Sequence, residues 1–178
     1  MTNHTDTDAA DAPGGLMLAP WCGERGLEVL RRQNTAELTE HLGGVESAEQ
    51  VRRRHERYLA MTDGSAGRMF LLLLDGEVAG SVGYWRHAWE GRDVYETGYA
   101  VLPEFQGRGL AVRALLLCAR RAADEGVLEW LHAFPSVRHE ASNAVCRRAG
   151  FELVGEVAFE YPPGHHIRSN NWRLALAG

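Results

Sequence analysis

Gln106-Gly107-Arg108-Gly109-Leu110-Ala111 lies between two runs of different pattern. Val94 to Val101 before it alternates as a strand does, and Leu110 to about Glu125 after it has the spacing of a helix. A glycine-rich turn from strand to helix is a phosphate cradle. The first N–H groups of a helix have no intrahelical partner, and the helix dipole adds partial positive charge there. Gly107 and Gly109 let the backbone approach an anion closely. The ligand group expected on this turn is a pyrophosphate.

Three phosphate-binding patterns compete for it. A Walker A loop needs Gly-Lys followed by Ser or Thr, and this chain has no lysine: its 19 basic residues are all arginine. Schiff-base chemistry and a Ser-Lys dyad fall with it. A dinucleotide fingerprint needs Gly or Ala three residues after its second glycine, where this chain has Val112. The third pattern is Gln/Arg-x-x-Gly-x-Gly/Ala, and Gln106, Gly109 and Ala111 fill its fixed positions.

That pattern resembles the acyl-CoA loop of the GCN5-related N-acetyltransferases, the GNAT superfamily. Two further blocks carry the resemblance. Glu96 to Phe105 is similar to the family's strand leading into the loop. Ser142-Asn-Ala-Val145 through Gly150-Phe151 is similar to its second CoA-side helix. The tail, Glu160-Tyr-Pro-Pro-Gly164 and Asn171 to Leu176, resembles the closing strands of the branch that holds the ribosomal-protein N-acetyltransferases. The resemblance covers about residues 16 to 176. It implies an α/β (mixed α+β) GNAT fold. That fold is a mostly antiparallel mixed sheet of about seven strands flanked by about four helices, with a splayed parallel strand pair that binds acyl-CoA.

Composition sets outer bounds. A chain of 178 residues suits one domain, expected over 16–178 after a polar, disordered tail over 1–15. The net charge of −5 argues against a nucleic-acid partner. No apolar stretch approaches the roughly 18 residues of a membrane span. Cys22, Cys118 and Cys146 are far apart and odd in number, which fits a reduced, cytoplasmic protein. Cys118 and Cys146 fall in helical runs as packing residues. The histidines, His165-His166 included, lack ligand spacing, and no metal site is expected.

Along the chain, Leu16 to Leu18 is a first strand, and helices are expected over Glu24–Arg32 and Thr35–Leu42. Ser47 and Gln50 have the form of a capping box opening a helix to about Met61. Its Arg52, Arg53, Arg54 and Arg57, interleaved with Glu49 and Glu56, predict a solvated face. Met69–Leu74, Val78–Arg86 and Val94–Val101 form a meander, joined by turns at Asp75-Gly76 and Glu90-Gly91. The loop helix ends at Gly126. Trp130–Phe134 is a strand, and a helix from Glu140 to Ala149 closes on Gly150 with Phe151 in a Schellman motif. Two last strands follow, Phe151–Tyr161 and Asn171–Leu176.

The resemblance implies acetyl transfer from acetyl-CoA, as cosubstrate, to a primary amine, on a small molecule or a peptide N-terminus. No metal takes part, and a homodimer is left open. The pyrophosphate falls to the backbone of Gln106, Gly107, Arg108, Gly109, Leu110 and Ala111. The pantetheine arm falls to the backbone near Ala100 and Val101, and the N–H of Val101 would polarise the thioester carbonyl. Glu96 is the candidate base; it shares a strand face with Val94, Gly98 and Ala100, and Tyr95 replaces it if the pleat is reversed. Tyr161 is the candidate acid toward the leaving sulfur. Many relatives carry Asn where this chain has His139, so Asn143 or Ser142 is expected to take over that contact. Trp85, His87, Trp89 and Phe134 to Val137 are candidate lining for the acceptor pocket, with a core role for the tryptophans as the other reading. A non-catalytic acyl-CoA-binding regulatory module on the same fold is the alternative function. A nucleotide-phosphate-binding protein, from another class, would bind ATP or NAD better than CoA.

Overall fold

The computed structural model describes residues 15–61 and 63–176; apart from Gly15, the expected tail lies outside them. The elements are β1 (Leu16–Pro20), α1 (Gly23–Gln33), α2 (Ala36–Thr39), α3 (Ala48–Leu59), β2 (Gly67–Leu74), β3 (Glu77–Trp89), β4 (Arg92–Val101), α4 (Leu110–Asp124), β5 (Trp130–Ala133), α5 (Glu140–Arg148), β6 (Glu152–Glu160) and β7 (His166–Ala175). The strands form one seven-stranded sheet in the order β1-β2-β3-β4-β5-β7-β6. This is the mixed, mostly antiparallel architecture expected.

The meander is set by its turns. Asp75 and Gly76 have φ of 50° and 86°, and Glu90 and Gly91 have 49° and 76°. Two consecutive left-handed residues match the right-handed twist of the strands they join, and so fix a tight hairpin. Leu71 and Leu72 of β2, Tyr84 of β3, Tyr95 of β4, Leu115 of α4 and Leu131 of β5 are fully buried in the resulting core. Each buried leucine contributes about 1.5–3 kcal/mol relative to exposure.

One parallel contact interrupts the antiparallel order. β4 and β5 pair only at Tyr95↔Leu131 and Glu96↔His132. Beyond Glu96 the two strands part, and Thr97 to Val101 leaves its outer edge to the gap. Helices cover both faces there. On one face, Thr97 Oγ1 lies 4.0 Å from Cys118 Sγ of α4, and Tyr99 OH reaches Ser142 and Cys146 of α5. On the other, Gln33 at the end of α1 donates from Nε2 to Ser81 Oγ (3.0 Å) and to Ala100 O (3.1 Å).

The local signals hold, with several element ends shifted. The capping box is present: Ser47 Oγ accepts from the Gln50 N–H, and Gln50 Oε1 from the Ser47 N–H. The Schellman motif is present too, with the Phe151 N–H on Cys146 O and the Gly150 N–H on Arg147 O. The helix expected over Thr35–Leu42 shortens to α2 because Gly43 and Gly44 both take φ of 92° and unwind its end. The helix expected to reach Met61 stops at Leu59. β7 begins at His166 instead of Asn171, since Glu160↔His166 extends the β6–β7 hairpin. Ile167 is the one apolar residue there, between exposed His166 and Arg168, too short a pattern to announce a strand. Arg52, Arg53 and Arg57 are exposed as expected, while Arg54 is half-buried against Glu46. Among the described residues no helix is long and apolar enough to cross a membrane.

Candidate active site

The loop forms at the C-terminal end of β4. Gly107 and Gly109 take φ of 75° and 71°, left-handed values that favour glycine. A Cβ built on either would meet nothing within 4 Å, so the space above both is open. Gly109 is the N-cap of α4, no side chain caps that terminus, and its first turn holds no acidic residue. The N-terminus of α4 is thus left without a side-chain cap or an acidic neighbour, beside open space at both glycines. Gln106 is turned inward: its Nε2 donates to Val101 O (3.0 Å), tying loop to strand. Arg108 is exposed and lies over the Phe105 ring at 5.7 Å. A phosphate fits this cradle by charge, by donors and by room.

Val101 lies on the free edge of β4, and Ala100 beside it turns its backbone to β3. Each carbonyl has a side-chain partner, Gln106 for Val101 and Gln33 for Ala100. The Leu102 N–H donates to Ala79 O at 2.8 Å, so Leu102 faces β3. By alternation along the strand the N–H of Val101 faces the opposite way, into the gap.

Glu96 stands where the gap opens. Its Cα partners are Trp85 on β3 and His132 on β5. Its face is the expected one, for a Cβ at Gly98 would meet the Trp85 ring at 2.9 Å, while Tyr95 turns away to Tyr84 and to Gly64 O. The Glu96 side chain is 14% exposed. Burial pushes its carboxyl up to about 7, opposed by a hydrogen bond from the Trp85 side chain. His87 Nδ1 lies 3.3 Å from Glu96 Oε2. Burial lowers the His87 pKa, so the two form a neutral-imidazole and carboxyl pair, not an ion pair, near neutrality.

On the opposite face of the sheet, α5 packs against Tyr99 of β4. Tyr99 OH is 2.8 Å from Ser142 Oγ and 3.7 Å from Cys146 Sγ. Burial raises the Tyr99 phenol well above its ordinary value, which keeps it protonated. His139 caps the helix: its Nδ1 accepts from the Ser142 N–H at 2.9 Å. Asn143, expected to contact the cofactor, is buried and fully engaged within the fold. Its Nδ2 donates to Ser136 O (3.0 Å) and His139 O (2.9 Å). Its Oδ1 accepts from Asn170 Nδ2 (2.7 Å) and Trp172 Nε1 (2.8 Å). An amide has two donors and two acceptor lone pairs, so none is left for a ligand. Asn143 fastens α5 to β7, while Ser142 meets Tyr99 of β4.

Tyr161, expected as the acid, follows β6. It is 37% exposed, and the charged and phenolic groups that act on it are Tyr58, Arg54, Glu46 and Arg57, which belong to α3 and the segment before it. The neighbours of Glu96 are Trp85 and His87, so the fold brings Glu96, Val101 and the loop to one gap and holds Tyr161 among a different set. Cys118 and Cys146 are core residues whose thiols burial pushes up to about 12 and about 11. Among the described residues no three His, Cys, Asp or Glu side chains gather as a metal set.

The Acetyltransferase (GNAT) domain family model matches residues 16–152. The chain belongs to the GNAT acetyltransferase family. Solved structures agree in fold. One is the acetyltransferase from Salmonella typhimurium that modifies the N-terminal serine of 50S ribosomal subunit protein L7/L12. It shares 23% identity at a TM-score of 0.74, over 90% of this chain and 95% of that one. The microcin C7 self-immunity acetyltransferase, solved with acetyl-CoA and AMP, gives 19% and 0.72, over 92% and 97%. Spermidine N-acetyltransferase from Vibrio cholerae, solved with CoA and spermine, gives 14% and 0.72, over 91% and 96%. A comparison with curated proteins returns no match. As a GNAT enzyme the chain is an acetyl-CoA-dependent N-acetyltransferase, and the open cradle at Gly107–Gly109 is suited to the pyrophosphate of that cosubstrate.

Proposed function

We propose that the protein acetylates a primary amine, on a small molecule or a peptide N-terminus, at the gap between β4 and β5, with Glu96 as general base. The observation that carries this reading is a buried carboxyl with a pKa of about 7 at the point where the strands part. Acetyl-CoA supplies the activated acetyl thioester. The backbone of 107–111 holds its pyrophosphate, and the β4 edge at Val101, beside Ala100, pairs with the pantetheine amides. The Val101 N–H, fixed by the β3–β4 ladder, supports developing charge on the carbonyl oxygen. Much of the rate gain is positional. Glu96 takes a proton from the incoming ammonium, and His87 beside it passes that proton outward. A base whose pKa lies near the working pH is the efficient choice, and such a group contributes about 10²–10⁴-fold.

For the proton that the leaving sulfur needs, two phenols compete. Tyr161 is the one expected from sequence. Tyr99, on β4 two residues before Val101 and hydrogen-bonded to Ser142, is the second candidate. Phenylalanine at each position separates them: the acid role predicts a lower kcat in one variant, with acetyl-CoA affinity retained. The three free cysteines support a reducing compartment, the cytoplasm, as the place of action.

The reading is tested by CoA thiol release from acetyl-CoA over polyamines, aminoglycosides, amino acids and peptides, with wild type and Glu96→Gln. Release that falls in Glu96→Gln at unchanged acetyl-CoA affinity supports it. Tight acetyl-CoA binding with no release, and indifference to Glu96→Gln, points instead to a regulatory acyl-CoA-binding module.

A further inference from the structure

Resting on the acetyl-transfer reading above, we propose that the acceptor is a primary amine carrying an aromatic or bulky apolar group, seated against a wall of rings that begins at Glu96. His87 touches Glu96 and stacks on Trp89, with centroids 6.0 Å apart. Trp89 lies 4.6 Å from Phe134, and Phe134 stacks on Phe159 at 4.4 Å and 14°. Four rings from the ends of β3, β5 and β6 thus form one continuous surface leading away from the base.

This wall is not an extension of the core. Phe134 and Phe159 are buried, at 9% and 7% exposure, yet neither belongs to the contiguous core cluster that joins the sheet to its helices. They are covered by each other and by half-exposed His87 and Trp89. Rings held together beside a base, off the core, are a recognition surface for an apolar group; the faces of Trp and Phe also attract a neighbouring ammonium.

Two buried donors on this side have no partner among the described residues, the Trp89 indole N–H and the Ser169 hydroxyl. Ser169 shares its strand face with Asn171, whose Oδ1 meets His132 Nδ1 at 2.8 Å, and His132 is the register neighbour of Glu96. An unpartnered buried donor is a cost that a polar group on a bound ligand removes.

Charge argues against a polycation. The second ammonium of a di- or triamine is held most strongly by a second carboxylate. At this wall Glu96 is the buried acid, and the field of Glu90 at His132 is opposed by that of Arg173.

The test is thiol release by the full-length protein with acetyl-CoA and four amines: phenethylamine, phenylalaninamide, alaninamide and spermidine. The ring-bearing pair is expected to exceed alaninamide and spermidine in kcat/KM by at least about tenfold, within the range an apolar pocket gives. In Trp89→Leu the ratio of phenylalaninamide to alaninamide falls toward one. Turnover of phenylalaninamide alone within the pair supports the proposal with a peptide or amino-acid amine as the source; turnover of both supports it with a free arylalkylamine. Alaninamide or spermidine equal to or better than the ring-bearing amines overturns the proposal and leaves acetyl transfer standing. No release from any of the four, with acetyl-CoA binding shown by titration, overturns both.

Discussion

Glu96 carries a charge that folding disfavours and proton abstraction uses. Burial is the cause, and it raises the carboxyl from 4.5 to about 7. The folded state therefore binds this proton more tightly than the unfolded chain. Stability is full below pH about 4.5, falls as the pH rises, and levels off above about 7. At its limit the effect corresponds to about 3 kcal/mol. Glu96→Gln keeps the shape and removes the charge. Its melting temperature is expected to exceed that of wild type at pH 8 and to match it at pH 4, while kcat falls about 10²–10⁴-fold. In wild type, kcat/KM is expected to rise through pH about 7 as the base loses its proton. A variant no more stable than wild type at pH 8 would refute the burial account. Gly109→Asp is the second residue-scale prediction. Aspartate there strains a left-handed position and sets a carboxylate among the N–H groups meant for phosphate. Acetyl-CoA affinity by titration is expected to be lost, and an unchanged affinity would remove the loop from the site. Strand parity placed Glu96 correctly because period-2 alternation needs only its neighbours. It could not place Asn143, whose partners at 136, 139, 170 and 172 are assembled by the fold.

α5 shows how an element can be legible while its duties are not. Its end was written locally: Gly150 takes φ of 83°, and Phe151 closes the Schellman motif. Gly150→Ala is expected to cost about 1 kcal/mol, read as a lower urea midpoint with an unchanged slope, since only glycine adopts that angle without strain. Its beginning was not written locally. A histidine, a weak cap by propensity, caps the helix through Nδ1, and Asn143 in the first turn carries four hydrogen bonds. Asn143→Ala leaves the buried Trp172 indole N–H and the half-buried Asn170 amide without their acceptor. At about 1–3 kcal/mol for each such group, it is expected to destabilise more than Gly150→Ala. Acetyl-CoA affinity is then expected to weaken only as α5 loosens, so temperature should restore it on cooling. An affinity lost equally at every temperature, in a variant as stable as wild type, would show instead a direct contact with the cosubstrate. The β6–β7 hairpin illustrates the opposite failure. His166–Arg168, with Ile167 its one apolar residue, joins the strand through backbone pairing with β6, and backbone pairing leaves little mark on side-chain pattern.

At the scale of the molecule, the sheet consists of two antiparallel blocks, β1 to β4 and β5 to β7, joined edge to edge by two residue pairs. The order of elements was readable from alternation, turns and caps. The place of β7 between β5 and β6 was not, because it depends on which edges meet after the chain has crossed the sheet. The weak seam is also where acetyl-CoA is proposed to lie, with its pyrophosphate on α4 and its arm along β4. A cosubstrate seated there adds contacts to both blocks that the unfolded chain cannot make. At a free concentration a hundred times its dissociation constant, such a ligand stabilises by about 2.7 kcal/mol. For a chain of 150–250 residues each kcal/mol is worth about 2–4 °C, so acetyl-CoA is expected to raise the melting temperature by about 5–11 °C. Backbone amides of residues 99–101 and 131–133 are expected to gain protection from hydrogen exchange together, since both flank the seam. A rise in melting temperature with protection confined to the loop at 106–110 would mean that the cosubstrate grips α4 without bridging the blocks. In Gly109→Asp neither effect is expected, which separates binding at the cradle from a nonspecific response to a polyanion.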